Sequence, residues 1–359
     1  MRVLQLIDSL EAGGAERMAV NYANTLADEI SFSALVTTRK EGTLKDQLSD
    51  KVVYSFLNKK SKWHGKAILR LRSFIKQNKI TIIHAHSTSF FTAILVKVIS
   101  PKIKIVWHDH YGDSEYLEKR ESFVLKSCAS FFHGIISVNS KLMEWASKEL
   151  RCSKVIYLPN FIFFKENNSI LKHTLLEGIN GKRIVCLANL RAQKNHFMLL
   201  KVAKLLKKSQ PDWSFHLVGK DFQDDYSNSL KAEIINRKLE KNVFIYDSRN
   251  DIEFILNQSE IAILTSKSEG LPVALLEYGF YEKAVVTTNV GDVKLVIKND
   301  TNGVLIDSED VEGFYSELVG LIKDPDKRSK LSAKLYQEVM TNYSDKAVIK
   351  KYLGWLEKI

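Results

Sequence analysis

Two glutamates, Glu269 and Glu277, lie on either side of a Gly-Leu-Pro turn that follows a short apolar run, Ile261–Leu264. Pro272 of this turn lies where a helix is expected to begin, and proline costs no hydrogen bond there because the first helical amides have no internal partner. Those amides and the positive end of the helix dipole favour a bound anion such as a diphosphate. The two carboxylates can accept hydrogen bonds from vicinal hydroxyls of a sugar or a ribose. The pattern therefore predicts a site for a ligand that carries both groups, and an ordinary helix start is the alternative.

A second polar segment follows the apolar run Arg183–Leu187 and contains Asn189, Arg191 and Lys194. Two cations at the end of a strand, just before a helix, can neutralise the charge of a leaving diphosphate. Lysine and arginine are also common in surface loops, so a plain loop is the alternative interpretation of this segment.

Gly13 and Gly14 lie between the first apolar run and the first helical pattern. Paired glycines let the backbone come close to a ligand, and a helix start favours a negative group. The segment is not the dinucleotide fingerprint G-x-G-x-x-G, and no acidic residue closes the second predicted strand, which counts against NAD. A plain connection between a strand and a helix is the alternative.

Four histidines, His84, His86, His108 and His110, lie at the ends of two predicted strands. In a parallel sheet both pairs would line the same carboxyl edge and face a cleft, where imidazole could bond sugar hydroxyls or move a proton near neutral pH. A zinc site drawn from both pairs is the alternative, but no cysteine supports it and neither pair has the i, i+4 spacing of a helical metal pair. We therefore predict no metal site.

The bulk composition limits the class of protein. A chain of 359 residues suits two domains, and 45% hydrophobic with 26% charged residues is typical of a globular enzyme and excludes disorder. No apolar run approaches the ~20 residues that span a bilayer, and the first residues lack the features of a signal peptide. Cys128, Cys152 and Cys186 are far apart in apolar surroundings, which indicates reduced core residues of a cytoplasmic protein.

The net charge of +11 is unevenly distributed, because residues 51–108 contain no aspartate or glutamate and all their lysines and arginines lie within residues 51–104. Such a block should create a local positive field whose targets are phosphates, on an anionic membrane surface, a lipid-linked acceptor or a nucleic acid. Within the block, Trp63–Lys79 forms a basic amphipathic stretch that could lie on a bilayer. The alternatives are a solvated basic face and a helix whose apolar residues pack on the sheet.

Apolar runs that alternate with helical patterns predict two parallel sheets covered on both faces. The predicted strands of the first series are Val3–Ile7, Ser33–Thr38, Val52–Leu57, Thr81–Ala85, Ile103–Trp107, Gly134–Val138 and Lys154–Leu158. Those of the second series are Arg183–Leu187, Ser214–Val218, Val243–Tyr246, Ile261–Leu264, Ala284–Thr287 and Val304–Ile306. The predicted fold class is therefore α/β, with two Rossmann-like doubly wound domains that face each other across a cleft and bind ligands at the carboxyl ends of their strands.

The helices and the domain boundaries follow from the same pattern. In the first series we predict helices at Ala15–Ala27, Ala67–Gln77, Phe91–Ile99, Tyr116–Phe132 and Lys141–Leu150. The polar stretch 165–182 is the predicted linker between an acceptor-binding domain, residues 1–164, and a donor-binding domain, residues 183–343. A long helical run from Val311 leads to a last helix within residues 344–359, which we expect to pack back on the first domain.

Together these segments resemble the family-four retaining glycosyltransferases of the GT-B fold, in the same order and over nearly the whole chain. The matching segments are Gly13–Arg17, His84–Ser87, Val106–Asp109, Leu158–Asn160 and the E-x7-E motif from Glu269 to Glu277 with Gly270, Leu271 and Pro272 intact. The chain departs from the family pattern at two places. Asn189 occupies a position where the family often has arginine, and Asp292 follows Gly291 where a second glycine is common.

The resemblance implies roles for the residues of the donor site. Lys194 would bind the donor diphosphate, with Arg191 as a stand-in for the arginine that Asn189 replaces. Glu269 would contact the donor sugar, and Glu277 the ribose of the nucleotide. The turn formed by Gly270, Leu271 and Pro272 would complete this donor site.

The resemblance also implies roles for residues of the first domain. His108 would lie beside the transferred sugar and act in catalysis with Glu269 and Lys194. Gly13 and Gly14 would lie near the phosphate or the acceptor. The other three histidines, His84, His86 and His110, belong to the same predicted acceptor side.

The function implied is transfer of a hexose-type sugar, with retention, from a nucleotide-sugar to a hydroxyl of a glycan or a lipid-linked glycan, as in the assembly of bacterial surface polysaccharides. We expect no cofactor and no divalent metal, because no acidic metal-binding motif is evident. The protein would be cytoplasmic, or peripheral on the inner face of the cytoplasmic membrane. The alternatives are an epimerase or phosphorylase of the same fold, a basic nucleic-acid-binding protein and an NAD-dependent oxidoreductase. The sequence contains no recognised nucleic-acid-binding module, so we expect no nucleic-acid partner.

Overall fold

The computed structural model describes residues 1–11, 13–61, 63–112, 117–150, 152–163 and 173–359. The chain divides into two compact units, which we call the first unit, Met1–Lys165 with Tyr343–Ile359, and the second unit, Glu166–Asn342. Residues 165–172 of the predicted linker lie outside the described residues. The rest of it is part of the second unit, because the backbone N–H of Thr174 donates to Asp251 over 2.5 Å and that of Leu176 to Gln258 over 3.1 Å.

The first unit is built on a parallel sheet of seven strands in the order β3-β2-β1-β4-β5-β6-β7. Its strands are β1 Arg2–Ile7, β2 Phe32–Thr37, β3 Val53–Phe56, β4 Ile82–His86, β5 Lys104–Asp109, β6 Gly134–Ser137 and β7 Val155–Tyr157. The register places Gln5 of β1 beside His84 of β4, and His86 beside His108 of β5. The order of the strands reverses between β1 and β4, which makes the carboxyl ends of these two strands the switch point where ligands bind in such sheets.

The helices of this unit cover both faces of the sheet. They are α1 Gly14–Glu29, α2 Gly65–Gln77, α3 Phe90–Val98, α4 Phe123–Cys128 and α5 Ser140–Glu149. The predicted helix Tyr116–Phe132 is present only in part: Tyr116 lies outside the described residues, and the remainder contains the short α4 with a 3₁₀ turn on either side. Arg120 lies in coil before α4, and its guanidinium binds Asp109.

The second unit is a parallel sheet of six strands in the order β10-β9-β8-β11-β12-β13, with its switch point between β8 and β11. Its strands are β8 Arg183–Leu187, β9 Ser214–Val218, β10 Val243–Tyr246, β11 Ile261–Leu264, β12 Ala284–Thr288 and β13 Val304–Ile306. Its helices are α6 His196–Ser209, α7 Asp225–Asn236, α8 Ile252–Asn257, α9 Val273–Phe280, α10 Val293–Val296, α11 Val311–Lys323 and α12 Pro325–Asn342. The long helical run predicted from Val311 is broken at Pro325, which begins α12 because proline cannot continue α11 but fits a first helical position.

The last helix, α13 Asp345–Leu356, packs on the first unit. Ser344 caps it by accepting a hydrogen bond from the Ala347 amide, and its apolar face joins the core on one side of the first sheet. That core contains Met18, Tyr22 and Leu26 of α1 together with Val348, Ile349, Tyr352 and Leu356 of α13. Two segments that are far apart in sequence therefore cover the same face of the sheet.

The predicted fold class, two Rossmann-like α/β domains with parallel sheets, is confirmed, and every predicted strand is present. Buried parallel strands are easy to recognise because both of their faces are covered and their sequences are continuously apolar. Within the described part of the chain, no helix has the length and apolar character required to cross a membrane.

Candidate active site

In the second unit, the loops after β8 and β11 bring Lys194 and Glu269 together. The Lys194 ammonium donates to Oε1 of Glu269 over 2.5 Å, and the Ser266 hydroxyl donates to the same oxygen over 2.6 Å. Both side chains of the ion pair are mostly buried, with 19% and 8% exposed. Because burial strengthens an ion pair only when further hydrogen bonds support it, the Ser266 contact is part of the arrangement. No described residue bonds the other carboxylate oxygen of Glu269.

The backbone fixes the position of this pair. Thr265 donates its hydroxyl to the carbonyls of Lys194 and Asn195, over 3.1 and 3.2 Å, and the Lys267 amide donates to the carbonyl of Gln193 over 2.8 Å. Asn195, which precedes α6, has the left-handed conformation with φ of 52°. The two loops are therefore tied to each other at the carboxyl edge of the sheet, beside the switch point.

Gly291 is required by the close approach of its backbone to the Glu269 loop. It has φ of +57°, and a Cβ atom there would lie 1.9 Å from the Glu269 carbonyl oxygen. The next residue, Asp292, donates its amide to the carbonyl of Gly270 over 3.1 Å. Asp292 therefore supports the turn through its backbone, which explains how the chain accommodates aspartate where the family often has glycine.

Helix α9 begins immediately after Pro272, as the sequence predicted, and Glu277 is half-buried in its middle. The neighbouring Tyr278 is fully buried, accepts a hydrogen bond from the Leu187 amide over 2.6 Å and donates to the Ile263 carbonyl over 3.2 Å. It thereby bridges β8 and β11 where they diverge, and burial raises the pKa of its phenol well above the usual value. Tyr278 is not among the residues predicted from the sequence, although it is adjacent to Glu277.

Asn189 and Arg191 lie in the same loop as Lys194 but make different contacts. The side-chain oxygen of Asn189 accepts the backbone N–H of Lys220 over 2.9 Å, which ties the end of β8 to that of β9. The exposed guanidinium of Arg191 lies 4.4 Å from the ring centre of Phe222. The structure therefore brings Lys194 to Glu269 but keeps Arg191 on Phe222.

In the first unit, His84, His86, His108 and His110 form a compact histidine cluster. His84, His86 and His108 are at most 1% exposed, and only His110 is half-buried. The expectation that both pairs line an open edge is therefore wrong for three of them. The reason is the strand period of two, which points all four side chains to the face that α1 and α13 cover.

One chain of hydrogen bonds in the cluster runs from Gln5 to His110. Oε1 of Gln5 lies 2.8 Å from Nε2 of His86, and Nδ1 of His86 lies 2.9 Å from Nε2 of His110. Gln5 is fully buried in the centre of β1. The sequence analysis missed this residue, although a polar side chain in an otherwise apolar strand could have identified it.

A second chain runs from Tyr352 of α13 to His108. The Tyr352 hydroxyl lies 3.1 Å from Nδ1 of His84, and Nε2 of His84 lies 3.1 Å from Nδ1 of His108. Nε2 of His108 is buried without a partner among the described residues, as is the hydroxyl of Tyr22, whose ring packs edge-on against His108. No pattern in the sequence indicated that Tyr22 and Tyr352 would contact these histidines.

Ligand atoms of His84, His86 and His108 lie within 4.8 Å of one another, which is the one such group among the described residues. Both ring nitrogens of His84 and of His86 already contact neighbouring side chains. A metal ion here would have to replace several of these hydrogen bonds. The absence of a metal site remains a prediction.

Burial keeps the cluster neutral. It lowers the pKa of His84, His86 and His108 well below the usual value, and that of His110 to about 3. The neighbouring imidazoles contribute further lowering for the first three. Near pH 7 these rings can therefore donate and accept hydrogen bonds but carry no charge.

Gly13 and Gly14 follow β1 at the start of α1, as predicted, but neither has the left-handed backbone conformation that favours glycine. Gly13 is extended, with φ of −166°, and precedes the first residue of α1, Gly14. A Cβ atom at Gly13 would lie 2.3 Å from a carboxylate oxygen of Glu16, whereas one at Gly14 would meet no atom within 4 Å. Because the Glu16 carboxylate is the far end of a flexible side chain that can move away, the structure requires glycine at neither position.

Comparison with known proteins agrees with this geometry. The family model of Glycosyltransferase Family 4 matches residues 12–166, and that of Glycosyl transferases group 1 matches residues 173–338. The chain belongs to this family of glycosyltransferases. The predicted family and the predicted enzyme class are confirmed.

The chain is 26% identical over 336 residues to a UDP-Gal:alpha-D-GlcNAc-diphosphoundecaprenol alpha-1,3-galactosyltransferase of Escherichia coli, covering 87% of this chain and 85% of the relative. It is 23% identical over 309 residues to the capsular polysaccharide biosynthesis glycosyltransferase CapH of Staphylococcus aureus, covering 81% and 82%. Its fold is similar to that of Anabaena HepE solved with UDP and glucose, with a TM-score of 0.81, 16% identity and full coverage of both chains. The GT-B fold implied by the resemblance is thereby confirmed.

We expect Gly291→Ala to destabilise the second unit and to displace the Glu269 loop. Gly181→Ala is a matched control, because Gly181 also has positive φ, +81°, but no atom lies within 4 Å of its added Cβ. The control should lose about 1–2 kcal/mol of unfolding free energy through backbone strain alone. Gly291→Ala should lose clearly more in denaturant unfolding, and equal losses for the two variants would contradict the close packing described above.

We expect the four histidines to remain neutral in the folded protein well below pH 6.5. Since an unfolded histidine has a pKa of about 6.5, the unfolded chain binds more protons than the folded one below that pH. Stability should therefore fall as the pH decreases from about 6.5, by up to about 1.4 kcal/mol per pH unit for each such histidine. Histidine NMR signals followed from pH 8 to pH 5 test this, and a midpoint near 6.5 for any of the four would refute it.

Proposed function

We propose that this enzyme transfers a hexose-type sugar, with retention of configuration, from a nucleoside diphosphate sugar to a hydroxyl of a glycan or lipid-linked glycan. The observation that carries the proposal is the contact between Lys194 and Glu269 at the switch point of the second sheet. It combines a cation for a phosphate with a carboxylate for sugar hydroxyls, next to the start of α9.

The donor would lie along this edge of the sheet. Lys194 and the first amides of α9 would bind the diphosphate, since the start of a helix favours an anion. One carboxylate oxygen of Glu269 is not bonded by any described residue. This oxygen would accept a hydrogen bond from a hydroxyl of the sugar. Glu277, half-buried one turn into the helix, would accept the ribose hydroxyls.

In the reaction, the bond between the anomeric carbon and the diphosphate oxygen breaks, and the acceptor oxygen bonds to the same face of that carbon. The proton of the acceptor hydroxyl passes to the departing diphosphate, so no external base is required. Lys194 stabilises the charge that develops on the leaving group, while Glu269 orients the sugar. Because the protein itself supplies a cation and helix amides, we propose that the reaction needs no divalent metal and no cofactor.

The first unit would bind the acceptor. The resemblance assigns His108 to the transferred sugar and Gly13 and Gly14 to the phosphate or acceptor. His108 is buried, and His110 is the one member of the neutral histidine cluster that is partly exposed. Its imidazole suits a sugar hydroxyl, because it offers a hydrogen bond without a competing charge. The Escherichia coli relative is named for a diphosphoundecaprenol-linked acceptor, and we propose an acceptor of this lipid-linked class.

A lipid-linked acceptor implies work at a membrane, and the basic block of the first unit supports a peripheral location on the cytoplasmic face. On and before α2, Trp63 is 72% and Leu69 is 58% exposed, and the neighbouring Lys66 and Arg70 are exposed as well. The other apolar residues of this stretch pack on the sheet, which was the alternative to a membrane-binding helix. Leu71 and Ile75 are buried in the core, and Ile68 and Phe74 pack against it. Lys59 is also buried, where its ammonium donates to Thr92 over 2.6 Å.

We expect a nucleotide-sugar to stabilise the wild type and to lose its effect on Glu277→Ala and Lys194→Met. A ligand at about 100 times its dissociation constant stabilises the native state by roughly 2.7 kcal/mol, which thermal unfolding resolves. UDP-sugars are the first probes, because HepE was solved with UDP and with UDP-glucose, followed by GDP-, ADP- and TDP-sugars. The measurement is repeated with EDTA.

The exposed Glu312 provides the control variant for this screen, Glu312→Ala, which should respond like the wild type. If no nucleotide-sugar stabilises the wild type, the donor proposal fails. If the stabilisation requires a divalent cation, the proposal of metal independence fails. A wild-type response that persists in both site variants would place the donor elsewhere.

We expect the first unit to bind anionic vesicles through Trp63, Lys66 and Arg70. The double variant Lys66→Glu/Arg70→Glu should bind vesicles that contain phosphatidylglycerol at least about tenfold more weakly, since each basic residue near such a surface contributes about 1 kcal/mol. The matched control is Lys350→Glu/Lys351→Glu, which reverses two exposed charges on α13. Sedimentation at physiological salt measures the binding, and equal losses for both double variants would exclude a defined membrane face.

A further inference from the structure

The hydrogen-bond chain from Gln5 to His110 has a defined direction. Oε1 of Gln5 can only accept a hydrogen bond, so Nε2 of His86, 2.8 Å away, must carry a hydrogen. His86 is buried and neutral, because burial holds its pKa well below the usual value, and its Nδ1 is therefore an acceptor. Nε2 of His110, 2.9 Å from that atom, must then donate.

This direction of the hydrogen bonds leaves Nδ1 of His110 as an acceptor that the chain itself does not use. A neutral His110 that donates from Nε2 has its lone pair on Nδ1. No described residue bonds Nδ1 of His110, and His110 is the one member of the histidine cluster that is not fully buried. It lies just beyond the carboxyl end of β5, beside the switch-point strands of the first sheet.

Asp109, the neighbouring carboxylate, does not disturb this arrangement. Arg120 binds it through two parallel hydrogen bonds of 2.7 and 2.8 Å, with both side chains at most 8% exposed. The Arg120 guanidinium in turn lies 4.3 Å from the ring centre of Trp145. The negative charge next to His110 is therefore compensated, and the imidazole needs no proton to balance it.

We propose that Gln5 and His86 are positioning residues that fix the tautomer of His110, so that Nδ1 of His110 accepts a hydrogen bond from a hydroxyl of the sugar acceptor. The inference rests on the proposed function, which it makes more specific by naming the atom that recognises the acceptor. In the chain Gln5–His86–His110, the buried Gln5 orients the imidazole of His86, and His86 orients the imidazole of His110, which would contact the substrate.

The first test needs no substrate and no variant. In wild-type protein labelled with ¹⁵N-histidine, long-range proton–nitrogen NMR correlations show which ring nitrogen carries the hydrogen. We expect both His86 and His110 to be protonated on Nε2 at pH 7. Protonation of His110 on Nδ1, which the opposite orientation of the Gln5 amide would impose, or a mixture of tautomers, would overturn the proposal.

The second test separates positioning from a merely structural role. Gln5→Met removes the acceptor oxygen with little change in volume, whereas Gln5→Glu keeps an acceptor oxygen at the same place. We expect Gln5→Met to release the His110 tautomer in the NMR spectrum and to raise the KM for the acceptor about 3- to 10-fold, as for a lost hydrogen bond, with the KM for the donor unchanged. Gln5→Glu also places a negative charge against His86, which favours the doubly protonated imidazole. Nδ1 of His86 would then donate, so His110 should carry its hydrogen on Nδ1 and lose at least as much acceptor affinity as in Gln5→Met.

The kinetic probe is GlcNAc-diphosphoundecaprenol, the acceptor in the name of the Escherichia coli relative, with other diphosphoundecaprenol-linked sugars as a panel. His110→Ala should raise the acceptor KM at least as much as Gln5→Met. Ser33→Ala is the control, since it removes a buried 2.7 Å hydrogen bond from the same sheet but outside the cluster, and should leave both KM values unchanged.

The outcomes distinguish this inference from the proposed function. If the wild type binds no nucleotide-sugar and transfers no sugar to the panel, the proposed function fails, while the NMR experiment still reports the tautomer. If the wild type transfers sugar but His110→Ala and Gln5→Met leave the acceptor KM unchanged, the inference alone fails. An increase of the acceptor KM in Gln5→Met without a change of the His110 tautomer, or a parallel change in the donor KM, would assign Gln5 a structural role and overturn it too.

Discussion

The geometry of a parallel sheet, in which all strands end at one edge, is the constraint on which both candidate sites depend. In the second unit it brings Lys194, after β8, within 2.5 Å of Glu269, after β11, although 75 residues separate them. In the first unit it brings Gln5 of β1 beside the histidines of β4 and β5. In both sheets the polar group lies at or next to the pair of strands where the order reverses, because the connections leave in opposite directions there and open a space at the edge.

The two units use this space in opposite electrostatic ways. The second unit places a charged pair in a mostly buried position and supports it with Ser266 and with backbone contacts between two loops. The first unit contains imidazoles whose burial disfavours the charged form, joined in chains that end on neutral groups of Gln5 and Tyr352. This contrast matches the chemistry of the proposed substrates, since a diphosphate needs compensating charge, whereas sugar hydroxyls need only donors and acceptors in fixed directions.

Much of the fold and part of the site could be predicted from the sequence, for physical reasons. Continuous apolar runs identify buried parallel strands, and the turn between Glu269 and Glu277 identifies a helix start with an anion site. The sequence did not show that Tyr352 would contact His84 from 268 residues away, because such a contact depends on the packing of a distant helix. It did contain the evidence that His84 and His86 share one face of the sheet, since residues two apart on a strand always do. What could not be foreseen is that α1 and α13 cover that face.

Arg120 makes a contact that the sequence pattern did not predict. Its sequence neighbourhood is helical in pattern, yet it lies in coil before the short α4, and its guanidinium is buried where it binds Asp109. The same contact compensates the only carboxylate that lies between His108 and His110 in the sequence. An unpaired carboxylate there would favour protonated imidazoles and remove their lone pairs. The neutrality of the histidine cluster has a different cause, because burial lowers the pKa of all four imidazoles. Arg120 therefore accounts for the compensated charge of Asp109, whereas burial accounts for the neutral imidazole on which the acceptor function proposed for His110 depends.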